Sequence, residues 1–281
     1  TVIQLRYMAE LLGKKIEIHG MWHAGSYDPQ DFLGRLVGDK PWVRNAECSM
    51  FYAYDVNWFA TRYHSNLFLR EVLGVDYLFA NDETEEWANQ RDPWEVDRVQ
   101  LTGWPMEYLH DILPPLSKPM RKPSIVFPHR LAPEKQVEIF RDLANTMPEY
   151  EWIICQETPL TKDQYHDILA NAAMVFSANL QETYGISAIE GLLAGAVPLL
   201  PDRLSYTEMW NERFKYPSDW TEDWDQYQIN KQQLCDRIRN DMSEIFGNSN
   251  ALKSAMAAQV ESMRAFTSAE PMIDSLTRPR P

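Results

Sequence analysis

The sequence predicts an α/β protein of two lobes, each a doubly wound parallel sheet flanked by helices. Three observations carry that expectation. Short apolar runs alternate with amphipathic segments along most of the chain, as strand–helix–strand units do. One stretch near the middle, PPLSKPMRKP, breaks the alternation with proline and basic residues and no hydrophobic period. The length, 281 residues, suffices for one large core or two modest ones. The lobes are expected at residues 1–115 and 123–281, with the proline-rich stretch as the linker.

In the first lobe, VIQLRYMAELLG reads as a helix, KKIEIHGMW as a strand, HAGSYDP as a loop and QDFLGRLVG as a second helix. The aromatic stretch AECSMFYAYDVNWFATRYHSNLFLREVLG holds a helix, a short buried strand around Trp58–Thr61 and another helix. VDRVQLTGW follows as a strand. A lobe of this kind normally opens on a strand and a glycine-rich turn. This chain opens on what reads as a later helix, so the first lobe is either small or incomplete at its amino end.

The second lobe alternates more regularly. PSIVFPH is a strand, and PEKQVEIFRDLANTMP is a helix with Val137, Phe140 and Leu143 at helical spacing. EWIIC, MVFSAN and AVPLLP read as strands, with KDQYHDILANA and GISAIEGLLAG as the helices between them. After Trp210 the chain turns polar, then helical in QQLCDRIRNDMSEIFG and ALKSAMAAQVESMRAF, and ends in a proline–arginine tail.

Composition excludes some functions. The net charge of −14, from 41 acidic and 27 basic side chains, opposes binding of nucleic acid over a broad surface. It leaves room for a local basic patch, and Lys118, Arg121, Lys122, His129, Arg130 and Lys135 form one along the sequence. No apolar run reaches the roughly 18 residues of a bilayer span, and no membrane partner is expected. Three widely spaced cysteines, Cys48, Cys155 and Cys235, point to reduced thiols in a cytoplasmic protein and offer no metal-ligand spacing.

The chemistry concentrates where two strands end. Between MVFSAN and the helix GISAIEGLLAG, Gly185 permits a tight turn or a close backbone approach. The amides of Tyr184, Gly185 and Ile186 are expected at the helix start, unpaired, with Ser187 beside them; such a terminus binds anions. Glu182 precedes the helix and Glu190 lies inside it. A carboxylate accepts hydrogen bonds without donating, which suits the vicinal hydroxyls of a sugar or ribose. At the other turn, HRLAPEK places Arg130 and Lys135 around a proline, with positive charge for a diphosphate.

These residues carry a resemblance. Glu182 with Glu190 is similar to the E-x7-E motif of the retaining glycosyltransferases with the GT-B fold, two Rossmann-like lobes with a cleft between them. Arg130 with Lys135 is similar to their R-x4-K segment. The similarity covers Pro123 to Met209 well and the first lobe loosely. It implies that Arg130 and Lys135 hold a donor diphosphate, Glu182 the donor sugar and Glu190 the nucleotide ribose. No cofactor and no metal are implied, because cations and a helix terminus take the metal's place. The D-x-D sequence at Asp223–Asp225 sits in what reads as a solvated acidic loop and is not assigned to a metal.

In the first lobe the family has a histidine that contacts the transferring sugar. His23, in WHAGSYD, is the residue assigned to it, ahead of His19. His19, Asp28, Arg62 and His64 are acceptor-side candidates. For Asp28 and Asp31 helix capping competes, and the DPQD sequence favours Asp28 as the cap. The aromatic residues Phe51, Tyr52, Tyr54, Trp58, Phe59 and Tyr63 suggest core packing, with base stacking as the alternative. QETYGISAIEGLLAGAVPLLPDRLSYTEM further resembles enzymes that glycosylate nucleic-acid bases: the tRNA-queuosine mannosyltransferases, and bacteriophage enzymes acting on hydroxymethylated pyrimidines in DNA. That implies a nucleotide sugar, UDP-glucose first, as donor. Duplex DNA or tRNA is the implied acceptor, with a surface glycan, a small metabolite or donor binding without catalysis as alternatives.

Overall fold

The computed structural model describes residues 1–74, 98–113 and 122–278. The expected linker falls almost wholly outside the described residues, as do Lys118, Arg121 and the final tail from residue 279. The chain divides into two compact units: Thr1–Pro105 together with Ser268–Pro281, and Met106–Thr267. These bounds differ from 1–115 and 123–281, chiefly because the last segment groups with the first unit.

The first unit is built on a three-stranded parallel sheet, β1 (His19–Met21), β2 (Val56–Phe59) and β3 (Val99–Leu101), in that spatial order. The strand expected around Trp58–Thr61 lies earlier, because Thr61 is drawn off as the N-cap of the helix Arg62–Phe68, its hydroxyl accepting from His64 N. Phe51, Phe59, Phe68, Leu69 and Val72 pack together beneath the sheet. Most of the aromatic run is therefore core, although Tyr52 is exposed. Asn57 is fully buried and hydrogen-bonded: its Oδ1 accepts from Trp22 Nε1 (2.7 Å) and its Nδ2 donates to Phe51 O (3.1 Å). The first helix, Val2–Leu11, is closed by a capping box of Thr1 and Gln4. Arg6 secures it by pairing with Asp55 at 2.6 Å. A short helix absent from the sequence reading, Glu270–Thr277, brings Ser275 Oγ to Trp58 Nε1 at 2.9 Å.

The second unit is a five-stranded parallel sheet of β4 (Ser124–Phe127), β5 (Glu151–Ile154), β6 (Met174–Phe176), β7 (Val197–Pro201) and β8 (Lys215–Tyr216). Its spatial order is β5-β4-β6-β7-β8. Parallel neighbours require crossover connections, and helices Val137–Thr146, Lys162–Asn171 and Ile186–Leu193 supply them. The strands read as continuous apolar runs because a parallel sheet is covered on both faces; β4, β6 and β7 are buried at every position. Ile125, Phe127, Phe140, Leu143 and Phe176 lead the core, joined by Tyr227, Leu234 and Ile238 of the long helix Trp224–Phe246. Asp223 caps that helix by accepting from Gln226 N at 2.8 Å. The D-x-D sequence is thus a helix start and not the solvated loop expected.

Strand order reverses between β4 and β6, which are neighbours although β5 lies between them in sequence. The crevice beyond the carboxyl ends of two such strands is where an open α/β sheet binds its ligand. The loop after β4 carries Arg130 and Lys135; the loop after β6 carries Glu182 and Gly185.

Candidate functional site

The two loops of the switch point are bonded to each other. Leu180 N donates to Glu134 O at 2.8 Å. Lys135 Nζ donates to the Gln181 carbonyl and lies 3.4 Å from Glu182 Oε2. The Lys135 side chain is 6% exposed, so its charge is held at a fixed place and not waved in solvent. Glu182 turns its other oxygen back onto the loop, where Oε1 accepts from Thr183 N (3.2 Å) and Tyr184 N (3.4 Å). The Tyr184 amide, expected to be unpaired, is therefore engaged. Its hydroxyl is anchored as well, donating to Phe266 O at 2.7 Å, so the buried Tyr184 side chain helps to fix the loop.

Gly185 adopts φ +87° and starts the helix Ile186–Leu193 with no side-chain cap. A Cβ there would come within 2.8 Å of the Tyr206 ring. Both the left-handed backbone and the close ring require glycine. Gly191, six residues further on, lets the helix press against Val175 of β6, 2.5 Å from where its Cβ would be. Ile186 and Ser187 are partly exposed in the first turn. Ser187 Oγ lies 3.2 Å from His129 Nδ1.

His129 is a correction to the basic patch. It is buried, and desolvation, followed by the charge of Lys135, holds it well below the usual histidine range, against a smaller opposing contribution from the Phe176 backbone. It is a neutral ring beside the helix start, not a surface cation. Lys135 is buried too, which leaves Lys122 and Arg130 as the exposed members of the patch among the described residues.

Arg130 pairs with Glu134 at 2.6 Å; the arginine side chain is half exposed and the glutamate's inaccessible. Glu190 is also tied, though to a different helix: Tyr165 donates to its Oε2 at 2.9 Å. Lys135 and Glu182 are thus brought into contact, while Arg130 and Glu190 each hold a partner of their own.

Residues that sequence reasoning missed complete the frame. Asn179 Nδ2 reaches Tyr206 OH (3.1 Å) and Glu182 Oε2 (3.4 Å). Arg203 donates to the carbonyls of Ala178 (2.8 Å) and Asn179 (2.7 Å), at the base of the same loop. Gln136, itself left-handed at φ 51°, donates to Ala178 O at 2.6 Å. The only sequence signal was their place in strand-end loops.

The acceptor-side candidates all belong to the first unit. His19 sits on β1 with Nε2 2.7 Å from Glu17 Oε1. His23 stacks on Trp104, ring centroids 4.5 Å apart, and burial lowers its pKa. Asp28 accepts from Gln30 N (2.9 Å), whereas Asp31 is the N-cap of the helix Phe32–Val37, accepting from Leu33 N (2.9 Å). The cap therefore falls three residues later than DPQD suggested, because Pro29 and Gln30 form the turn and not the first helical residues. Arg62 opens the helix Arg62–Phe68 and is partly exposed.

His64 is not on an open face. It is buried against Phe59 and Tyr27, whose hydroxyl lies 2.5 Å from its Nε2 and donates to His23 O. Burial drives its pKa down to about 3; the His23 carbonyl opposes and the His23 charge adds. The folded state therefore binds a proton less readily than the unfolded chain, whose histidine titrates near 6.5. Its stabilising effect is complete above pH 6.5 and is lost as pH falls towards 3, by about 1.4 kcal/mol per pH unit from this group. We expect His64→Gln to flatten the pH dependence of unfolding between pH 6 and 4, read by urea denaturation at each pH. Parallel curves for the two proteins would refute the assignment.

No protein-family model matches the chain, and no curated protein does. Solved structures do. The sucrose-phosphate synthase of Thermosynechococcus elongatus superposes with a TM-score of 0.60 at 12% identity, over 98% of this chain and 69% of that one. A UDP-forming α,α-trehalose-phosphate synthase from Burkholderia vietnamiensis gives 0.58 at 13%, over 98% and 68%. Anabaena HepE, solved with UDP and glucose, gives 0.55 at 10%, over 99% and 75%. Likeness at such identity establishes the fold: α/β with parallel sheets, among GT-B glycosyltransferases as structural neighbours.

Proposed function

We propose that this protein is a retaining glycosyltransferase that moves a sugar from a nucleotide-sugar donor to a hydroxyl acceptor, with the donor held by the Met106–Thr267 unit. One observation carries the proposal: across the switch point of the sheet, a buried lysine and a loop carboxylate, Lys135 and Glu182, sit 3.4 Å apart beside a helix start that has no side-chain cap. A diphosphate asks for that combination of fixed cation and oriented amides, and a sugar asks for the neighbouring acceptor oxygens. In this reading Lys135, Arg130 and the amides of Gly185, Ile186 and Ser187 take the diphosphate. Glu182 takes sugar hydroxyls and Glu190 the ribose. By the same resemblance His23 contacts the transferring sugar.

The chemistry follows from charge. As the bond from the sugar's anomeric carbon to the phosphate oxygen breaks, negative charge grows on the diphosphate, and preorganised cations stabilise that state more than the bound donor. The acceptor hydroxyl attacks from the face the phosphate leaves and gives its proton to the departing phosphate oxygen. The anomeric configuration is retained. Positive charge comes from side chains and the helix terminus, so activity is expected to survive EDTA. UDP-glucose is the first donor to test, since HepE was solved with UDP and glucose.

For the acceptor we favour a hydroxymethylated pyrimidine in bacteriophage DNA, on the resemblance of the stretch from Gln181 to Met209 to base-modifying enzymes. A reducing cytoplasm suits the three free cysteines. Among the described residues no helix is long and apolar enough to cross a membrane. The test has two stages. A panel of nucleotide sugars is assayed for donor hydrolysis, with UDP-glucose expected to turn over. Hydroxymethylated duplex DNA, tRNA and simple glycans are then incubated with the active donor and weighed by mass spectrometry, with one hexose added to the DNA. Binding without hydrolysis or transfer would favour a non-catalytic nucleotide-sugar binder; modification of tRNA alone would move the acceptor to queuosine; no binding of any donor would overturn the proposal.

A further inference from the structure

Glu190 is surrounded from one side by a single helix face. Lys162, Tyr165 and His166 stand at i, i+3 and i+4 of the helix Lys162–Asn171, a spacing that puts all three side chains on one stripe. All three converge on the carboxylate. Tyr165 donates to Oε2 at 2.9 Å, while Lys162 Nζ and His166 Nε2 lie 3.5 and 3.6 Å from Oε1. The glutamate side chain is only 7% exposed, so water does little to solvate it and these donors must.

We infer that Tyr165 and His166 are specificity-determining residues of the donor site, which orient Glu190 so that it selects ribonucleotides over 2′-deoxyribonucleotides; this rests on the donor reading above. The two carboxylate oxygens are unequal. Oε2 is committed to the tyrosine hydroxyl at normal hydrogen-bond length. Oε1 has only the contacts to Lys162 and His166, at 3.5 and 3.6 Å, and can still accept a hydrogen bond of normal length. Beside it His166 Nε2 is buried without a hydrogen-bond partner. A vicinal diol satisfies both atoms at once, one hydroxyl on Oε1 and the other on Nε2. A sugar lacking one hydroxyl leaves one of the two buried atoms unmatched, and sites of that kind discriminate strongly. Tyr165 stays protonated as a donor, since burial and the adjacent Glu190 charge both raise its pKa. Lys162 is largely exposed and forms the rim.

Calorimetry of the full chain with UDP and 2′-deoxy-UDP, and with the ADP and GDP pairs, tests this. Wild type is expected to prefer the ribonucleotide by about tenfold or more. Tyr165→Phe should bring the ratio to about twofold by weakening the ribonucleotide, with deoxynucleotide affinity nearly unchanged; the melting temperature falls, because a buried carboxylate loses a donor. His166→Ala gives the same readout from the other atom, should Tyr165→Phe fold poorly. Equal affinity of wild type for both members of every pair, or an unchanged ratio in both variants, overturns the inference and leaves the donor reading standing. Failure of wild type to bind any nucleotide overturns both.

Discussion

Lys135→Met is expected to lower donor turnover by about 10²–10³-fold, the usual consequence of removing one preorganised donor from a developing anion. Lys135 is positioned before any ligand arrives. Its ammonium is fixed by the Gln181 carbonyl and by Glu182, and its stem is buried, so methionine keeps the packing and deletes the charge. Glu182 loses its cation but keeps the amides of Thr183 and Tyr184, and it is exposed enough for water to reach it. The fold should therefore survive. Glu182→Gln retains an oxygen for those amides and removes only the charge, so it separates loop support from sugar binding. Steady-state hydrolysis of the donor, with melting temperature as control, measures both. Turnover within threefold of wild type in Lys135→Met would end the case for a diphosphate at this place. Arg130→Ala is a poorer probe. Its partner Glu134 is inaccessible to solvent, and taking the arginine away from a buried carboxylate costs stability as well as activity. The double variant Arg130→Ala/Glu134→Gln avoids that confusion.

That Lys135 and Glu182 lie at one edge of the sheet was legible in the sequence, because each sits in a loop after an apolar strand and parallel strands deliver such loops to one edge; their direct contact was not. The regular alternation from Ser124 to Pro201 made four strands of the second sheet readable, whereas β8 (Lys215–Tyr216) lies in the stretch that read as polar. What stayed hidden depends on which loops meet. Tyr165 is 25 residues from Glu190, and only the packing of two crossover helices joins them. His64 follows a strand, as an exposed loop residue would, yet Thr61 caps a helix and turns the imidazole into an aromatic core. His129 counted as a cation until burial made it neutral. Nothing local in the last residues announces that Ser275 returns to Trp58, 217 positions away. Periodicity reports which face of an element is buried and carries no record of its partner.

Arg203→Met should destabilise the protein by about 3 kcal/mol and weaken donor binding with it. The guanidinium spans two loops. Nε and Nη2 donate to Asn179 O and Ala178 O, at 2.7 and 2.8 Å, in the segment leading to Glu182. Nη1 donates to Ser218 O at 2.9 Å, and Nη2 also reaches Thr221 O and Oγ1, both at 3.1 Å. Burial lowers the arginine's pKa, with Tyr216, Tyr206 and Glu222 opposing. Gln136 reaches Ala178 O and Thr221 O as well, so the Asn179 and Ser218 carbonyls lose most when the arginine goes. Arg203→Lys should recover only part of the loss, because a compact ammonium cannot reproduce the planar fork that serves carbonyls on both sides. Urea denaturation gives the stability. Calorimetric titration of UDP gives the affinity, at a temperature where each variant remains folded. Stability within 1 kcal/mol of wild type in Arg203→Met would mean that the loops hold without it. Lost stability with unchanged affinity would mean that Lys135 and the helix start keep the donor loop in place by themselves.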